Sequence, residues 1–503
     1  MDAGSASRIA ALCQDACRAA DAGNWKLAIQ SYEKAIALDP QNVSFLLEMG
    51  NAYAQGGEAS LAVQTYNRAL QIDPDSAFVW NNLGSVLLGL GKMQLALECF
   101  ANAVRLLPNE WTIRYSLGRA LGQIGKAREA VEHLASACAL NPAFEDAWIV
   151  LGNAWQHAGD WDKAMECFDR VLAISPGRAE VHVNRAMVLL NQGNFDDGWC
   201  EYEYRWETPA FRAYKSRKLD KPRWQGEPLE GRRILLHAEQ GFGDAIQFAR
   251  FIPELSARGA EVFVEAKAPL KELLSAFVTP DHIIELGNPL PEFDYYCPMM
   301  SLPIPLGLRL SSIPNSPYLK VPLGRLNDAR SLLERISPGP RLRVGIVWTG
   351  NSSHPWNAMR SVPLGQLAPL GRIKGIQLYS LQREAAAAEA DAWSEGAPLC
   401  LPAESLEGFH RMAAVIQAMD LVISIDTAQA HLAGALGKPV WVMLPPFYEW
   451  RWHSHLEDSP WYRSARLFRQ QTPGEWTQVI EKVAEELQRF SSDRGACNVP
   501  DSQ

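Results

Sequence analysis

VSFLLEMGNAYAQGGEASLAVQTYNRALQIDP, residues 43–74, decides the first half of the chain. Leu46, Met49, Gly50 and Tyr53 recur at helical spacing. Gln55-Gly56-Gly57 ends that helix, because glycine readily takes the positive φ that a helix terminus needs. Leu61, Ala62, Thr65, Tyr66 and Ala69 stripe a second helix, which Asp73-Pro74 stops, since proline lacks the amide proton and disfavours a helical residue before it. Gly50 and Ala62 are small where the two helices must approach closely, and Tyr66 is expected to fill the space between successive pairs.

The same markers return outward from that stretch. Pro40, Pro74, Pro108, Pro142 and Pro176 are spaced by 34, as are Gly23, Gly57, Gly91, Gly125, Gly159 and Gly193. Ala28, Ala62, Ala96, Ala130 and Ala164 keep the period, each followed four residues on by Tyr32, Tyr66, Phe100, Leu134 or Phe168. This unit resembles the tetratricopeptide repeat, a helix–turn–helix module. One helix pair cannot bury both its faces, so the repeats are expected to stack into a right-handed α-solenoid with a concave groove over residues 1–206. Five repeats are full, the first from near Ser7; a sixth runs through Gly193 and Tyr202, degenerates by Pro209 and is expected to dock onto the second half of the chain. The resemblance implies a protein-binding surface. In the protein O-linked N-acetylglucosamine transferases, asparagines along the inner helices hold the acceptor's backbone. The matching positions here are Glu48, Asn82, Ser116, Val150 and Asn184, which makes Asn82 and Asn184 the acceptor-side candidates. Docking a second copy, to give a homo-oligomer through the solenoid, is the competing use.

At 503 residues the chain exceeds one hydrophobic core, and 47% hydrophobic with 21% charged residues is ordinary globular composition. A net charge of −9 gives no electrostatic reason to expect nucleic acid or an anionic membrane as partner. The N-terminus has no basic region before its apolar residues, and no apolar run reaches membrane-spanning length, so a cytoplasmic protein is expected. The nine cysteines form no C-x-x-C pair. Cys13 and Cys17 share a helix face but lack a second ligand pair, so they are read as buried thiols, and His453 and His455 as ordinary loop histidines. No metal site is expected.

FRAYKSRKLDKPRW, residues 211–224, carries six basic residues and one acid and reads as part of a solvated basic linker over 207–230. After Gly231 the period changes. RRILLHAEQ, AEVFVEA, HIIEL and DYYCPM read as strands, with helices over DAIQFARFIPELSARG and APLKELLSAF. A second alternation comes next: strands RVGIVWTG, IQLYSLQ, LVISI and PVWVMLP, with helices over VPLGQLAPL, FHRMAAVIQAMD and DTAQAHLAGALG, and a last helix from Glu475 to about Phe490. Such alternation predicts parallel sheets covered by helices, arranged as two Rossmann-like domains.

HAEQGFGDAIQFARFIP, RVGIVWTGN with RSVPLGQLAPL, DLVISIDTAQAHLAGALGKPVWVMLP and DSPWY with LFRQ, in that order over about residues 200–480, resemble tetratricopeptide-fused bacterial glycosyltransferases related to the family 9 heptosyltransferases. The resemblance implies an α/β GT-B fold: an acceptor-side Rossmann-like domain at 231–325, a connection at 326–341, a nucleotide-sugar donor domain at 342–490 and a polar tail at 491–503. It also implies inverting transfer from a nucleotide-sugar without a bound metal or other cofactor.

Gly241-Phe242-Gly243-Asp244 lies between a strand and its helix, where glycines let the backbone approach a ligand. A carboxylate there can take the acceptor hydroxyl's proton as the sugar bond forms. The family's aspartate base matches Asp244; a plain helix cap is the alternative. Glu239, Gly241, Gly243 and Gln247 are the neighbouring acceptor-side candidates, with Arg250 two turns on. Asp426, Thr427 and His431 open a helix after LVISI, where free N–H groups and the dipole favour a diphosphate. A cap at Asp426 and a core histidine at His431 compete with that reading. Asn351 and Arg360 complete the donor set, Arg360 matching the family's basic residue and answering the charge that grows on the departing phosphate. The sequence departs from its relatives at Trp356-Asn357-Ala358-Met359 and Arg411-Met412. The expected function is transfer of a sugar onto Ser or Thr hydroxyls of a protein held by the solenoid, with flagellin a client by family context. A transferase acting on lipopolysaccharide or another glycan, and a non-catalytic scaffold with a decayed transferase domain, are the alternatives.

Overall fold

The computed structural model describes residues 3–211, 219–352, 357–382, 398–446, 450–453 and 456–497. Trp356, His455, residues 212–218 of the basic linker and the end of the tail lie outside them. The chain divides into two compact units, Met1–Pro176 and Gly177–Gln503.

The first unit is a helical solenoid. Its helices run in pairs: Ala3–Asp21 with Trp25–Leu38, Val43–Gln55 with Ala59–Ile72, Ala77–Gly89 with Met93–Leu106, Trp111–Gln123 with Ala127–Leu140, and Glu145–Ala158 with Trp161–Ile174. Each packs on the next in sequence, and the first helices of the second, third and fourth pairs also touch the first helix of the pair that follows. The turn glycine Gly57 has φ +82°, the left-handed conformation the spacing required, and Gly23, Gly91, Gly125 and Gly159 share it. Ala28, Ala62, Ala96, Ala130 and Ala164 are all fully buried. The close approach is between a glycine and the large residue of its own pair. A Cβ on Gly118 would stand 2.6 Å from Leu134 Cγ, and one on Gly84 3.0 Å from the Phe100 ring. Gly50 with Tyr66 and Gly152 with Phe168 repeat the contact. Cys17 corrects an expectation: it is exposed and Cys13 only half-buried, since the first helix has its partner Trp25–Leu38 on one side.

The second unit begins with one more helix pair, Ala179–Asn191 and Phe195–Tyr202, which ends in a 3-10 turn at Glu203–Glu207. Two sheets come after it. The first is all parallel, in the order β3-β2-β1-β4, from β1 Arg233–His237, β2 Glu261–Ala266, β3 Ile283–Glu285 and β4 Tyr295–Pro298. The second runs β6-β5-β7-β8-β10-β9, from β5 Leu342–Val347, β6 Ile376–Ser380, β7 Leu421–Ile425, β8 Val440–Leu444, β9 Asp458–Ser459 and β10 Tyr462–Arg469. All its pairings are parallel except that of β9 with β10. Both faces of β1 are covered: Ile234 and Leu236 enter the large core, and Leu235 packs with Phe263 and Phe293 on the other side. Hence the continuous apolar run. That large core also takes in Ala186, Leu190, Phe195, Trp199 and Tyr202 of the helix pair.

Three expected helices are interrupted. Residues 244–259 become the helix Phe242–Phe248, a 3-10 turn Ala249–Phe251 and the helix Ile252–Ala257. APLKELLSAF gives a 3-10 turn and the short helix Lys271–Leu274, and VPLGQLAPL a 3-10 turn with Ala368–Gly371. Pro253 and Pro369 sit at two of these breaks, where each removes an amide the preceding turn would need, whereas Pro269 lies in the first turn of its segment. Leu323–Ile336 is a helix, and the last helix, Thr477–Cys497, continues past Phe490. Among the described residues no helix is long and apolar enough to cross a membrane.

Candidate functional site

In open parallel sheets ligands sit at the carboxyl ends of strands, where the strand order turns back. Here those points are β1 beside β4 and β5 beside β7. The exit of β1 carries Glu239, Gly241, Gly243 and Asp244, the exit of β5 carries Asn351 and Arg360, and that of β7 carries Asp426, Thr427 and His431.

Asp244 is the third residue of the helix Phe242–Phe248. Its Oδ2 accepts from the Gly241 amide at 2.8 Å, and its Oδ1 is paired with Arg451 Nη2. It therefore caps its helix while holding a cation, and stays partly exposed at 19%. The Gly243 backbone lies against the second sheet's helix: a Cβ there would be 2.9 Å from His431 Cδ2 and 3.6 Å from Ala428 Cα. The glycine is thus required by an approach within the chain itself. Gln247 is fully buried, and its Oε1 accepts from Arg451 Nε at 2.8 Å.

Glu239 is 2% exposed and bonded to Arg205 Nη2 at 3.1 Å, while Arg205 also donates to Ser301 Oγ and Glu203 Oε1 at 2.7 Å each. Burial pushes the Glu239 carboxyl up and the Arg205 guanidinium opposes it. This carboxylate is anchored in a buried network.

On the donor side the Thr427 hydroxyl turns to Ser424 Oγ, 3.0 Å away. His431 is buried, its Nδ1 2.9 Å from Tyr462 OH and its Nε2 3.7 Å from Asp426 Oδ1. Burial, with the Arg451 and Arg250 cations adding to it, holds the imidazole well below its ordinary 6.5, so it is neutral. Hydroxyl and imidazole do not share an open face, although they are one turn apart. Arg360 lies over Gly350 and donates to the Asp426 carbonyl at 3.2 Å, which sets its charge beside the start of the helix Ala428–Ala435. Asn351 is exposed at the rim of the same turn. Asn82 lies in the first unit, where its amide donates to Asn51 Oδ1 at 2.8 Å, and Asn184 lies on Ala179–Asn191 in the second.

Sequence reasoning missed Arg451, Arg205 and Tyr202. Tyr202 OH accepts from Gln240 Nε2 at 2.6 Å, at the β1 exit. Arg250 is buried, bonded to the Trp461 and Pro314 carbonyls at 2.8 and 2.9 Å. His453 is no ordinary loop histidine: it is buried, has φ +46°, and its Nδ1 lies 2.8 Å from the Asn191 carbonyl. Arg411 is tied to the Glu404 carbonyl at 2.8 Å, and Met412 is a core residue.

Parts of the chain match known sequence families. Residues 383–485 match glycosyltransferase family 9 (heptosyltransferase), a span that holds Asp426, Thr427, His431 and Arg451. Residues 20–57, 50–91, 81–143 and 123–182 match tetratricopeptide repeats. Protein FlbA of Caulobacter vibrioides is 28% identical over 351 residues, 63% of this chain and 57% of that protein. The chain thus spans little more than half the length of that curated relative. Among solved structures, MamA is 24% identical over 35% of this chain and 96% of its own, with a TM-score of 0.30. PilF of Pseudomonas aeruginosa is 18% identical over 43% and 100%, with a TM-score of 0.37. The chain joins tetratricopeptide repeats in its N-terminal region to a glycosyltransferase family 9 domain in its C-terminal part.

Proposed function

We propose that this protein is a metal-independent, inverting glycosyltransferase of GT-B type, with a Rossmann-like domain built on each sheet, and that it glycosylates Ser or Thr hydroxyls of a protein bound by its repeats. The observation that carries the reading is the meeting of two strand exits: the turn bearing Asp244 packs through Gly243 on the helix opened by Asp426 and Thr427. An acceptor hydroxyl beside Asp244 faces a donor whose diphosphate lies at the start of Ala428–Ala435 and beside Arg360. Asp244 takes the hydroxyl proton, the acceptor oxygen bonds to the sugar's anomeric carbon, and that carbon's bond to phosphate breaks. The negative charge leaves with the nucleotide and is met by Arg360 and the helix amides. The repeats supply the protein acceptor, flagellin being the first client to try.

The test is incubation with UDP-, GDP-, ADP- and CMP-sugars and candidate acceptors in the presence of EDTA, then intact-mass spectrometry. A sugar increment on an acceptor protein is expected. Asp244→Asn should lower its rate about 10²- to 10⁴-fold while nucleotide binding persists. Wild-type turnover by that variant removes Asp244 from the chemistry, and loss of transfer with EDTA that Mg²⁺ restores removes the metal-free mechanism.

A further inference from the structure

We infer that Arg451 is a positioning residue that aims the Asp244 carboxylate from the opposite sheet; the inference rests on the transferase reading. Arg451 belongs to the 3-10 turn Trp450–Trp452 beyond β8, and so to the donor side. Its side chain is 5% exposed and reaches across to the first sheet's helix. There Nη2 holds Asp244 Oδ1, and Nε donates to the Gln247 amide oxygen at 2.8 Å. The guanidinium lies 4.4 Å from the centroid of the Trp450 ring, itself 1% exposed and packed on Trp199 and Trp461. Its plane is therefore fixed from below by the indole and from the side by Gln247.

The consequence falls on Asp244. With Oδ2 held by the Gly241 amide and Oδ1 by Arg451, both carboxylate oxygens are placed and the group's rotation is removed. Each oxygen of an ionised carboxylate has two lone pairs, so an acceptor hydroxyl can still donate to one of them. Without Arg451 the carboxylate keeps one amide partner and swings. A base misplaced by an ångström loses much of its rate, whereas donor binding, which depends on the β5 and β7 exits, is left alone. Because the arginine comes from the donor-side sheet, the acceptor-side base is aimed only while the two strand exits are together.

Turnover is measured with whichever nucleotide-sugar and acceptor the unmutated protein uses, and nucleotide affinity by calorimetry. Arg451→Gln is expected to lower kcat about 10- to 100-fold with the nucleotide Kd changed less than about threefold. Arg451→Lys should recover part of the loss, since an ammonium reaches Asp244 but cannot also reproduce the fork to Gln247. In an Asp244→Asn background, Arg451→Gln should cost less than about threefold more, because the arginine acts through that carboxylate. Full kcat in Arg451→Gln, a matching rise in Kd, or losses that multiply in the double variant overturn the inference while leaving Asp244 as base. Should Arg451→Gln not fold, Arg451→Lys decides: reduced kcat at unchanged Kd upholds the role, and wild-type kcat overturns it. Wild-type turnover in Asp244→Asn, or no turnover by the unmutated protein, sinks the underlying reading and the inference with it.

Discussion

The second to fifth helix pairs and the sixth use the same register to different ends. In the former, glycine sits on the first helix (Gly50, Gly84, Gly118, Gly152) and alanine on the second (Ala62, Ala96, Ala130, Ala164). The sixth pair exchanges them, Ala186 on the first helix and Gly198 on the second, and a Cβ on Gly198 would stand 2.8 Å from Leu190. The aromatic changes its role with them. Tyr66 lies on Gly50 and bonds to Asn51 in its own pair, whereas Tyr202 turns to Gln240 at the β1 exit. Helix pairs that only stack keep the repeat's contacts; a pair that joins an α/β core gives them up. The boundary between the two compact units therefore falls before the sixth pair, at Pro176–Gly177.

The largest effect expected from that difference is on where the chain can be cut. A fragment starting at Gly177 should fold cooperatively, while one starting at Glu207 should lose its near-ultraviolet circular dichroism and aggregate, because Phe195, Trp199 and Tyr202 leave a hole against Trp450 and Trp461. If the shorter fragment folds as well, the sixth pair is merely another repeat. A second measurement sharpens the contrast. Gly152→Ala should destabilise its pair by about 1–3 kcal/mol, because the buried Phe168 ring cannot retreat from the new methyl; Ala186→Gly should cost only about 1 kcal/mol in helix propensity. Amide exchange in Glu145–Ala158 and in Ala179–Asn191 reads the two.

The smallest effect is on pH, and both units contribute to it: burial lowers His157 of the first unit to about 4 and holds His431 of the second well below its ordinary value. His431 stays neutral when folded, so below about pH 6.5 the unfolded chain takes a proton there and the folded one does not. Stability should be level above that pH and fall below it by up to about 1.4 kcal/mol per pH unit from this group. His431→Asn should flatten the decline in urea midpoints between pH 7.5 and 5.5. A decline of equal slope in the variant assigns the acid sensitivity elsewhere.

Range decides how much of the molecule is legible in its sequence. The turn glycines and stopping prolines act over one or two residues, and the runs RILLH, EVFVEA and LVISI are apolar because both faces of their strands are covered. YRSARLFR, which forms β10, hides behind three arginines, because it pairs with the two-residue β9 near the sheet's edge. The breaks at Pro253 and Pro369 are marked in the sequence but outweighed there by apolar periodicity. Asp244 and His431 could be placed on their turns, but their partners could not. Arg451 is 207 residues from Asp244, and Tyr202 is 38 from Gln240, separations at which spacing carries no distance. Trp450, Trp452 and Trp461 around Arg451 are the signal that could have found it, since a solvated loop has no need of three tryptophans.

The glycine-on-aromatic contact also bears on inheritance. Because that contact closes within one helix pair, a 34-residue cassette carries its own copy with it, so unequal recombination can add or delete one without leaving a glycine facing the wrong residue. The sixth pair cannot be copied in this way, since Tyr202 turns to Gln240 at the β1 exit rather than to a helix of its own pair. The number of stacked pairs can thus change in whole cassettes, while the pair built into the α/β core is inherited in one piece.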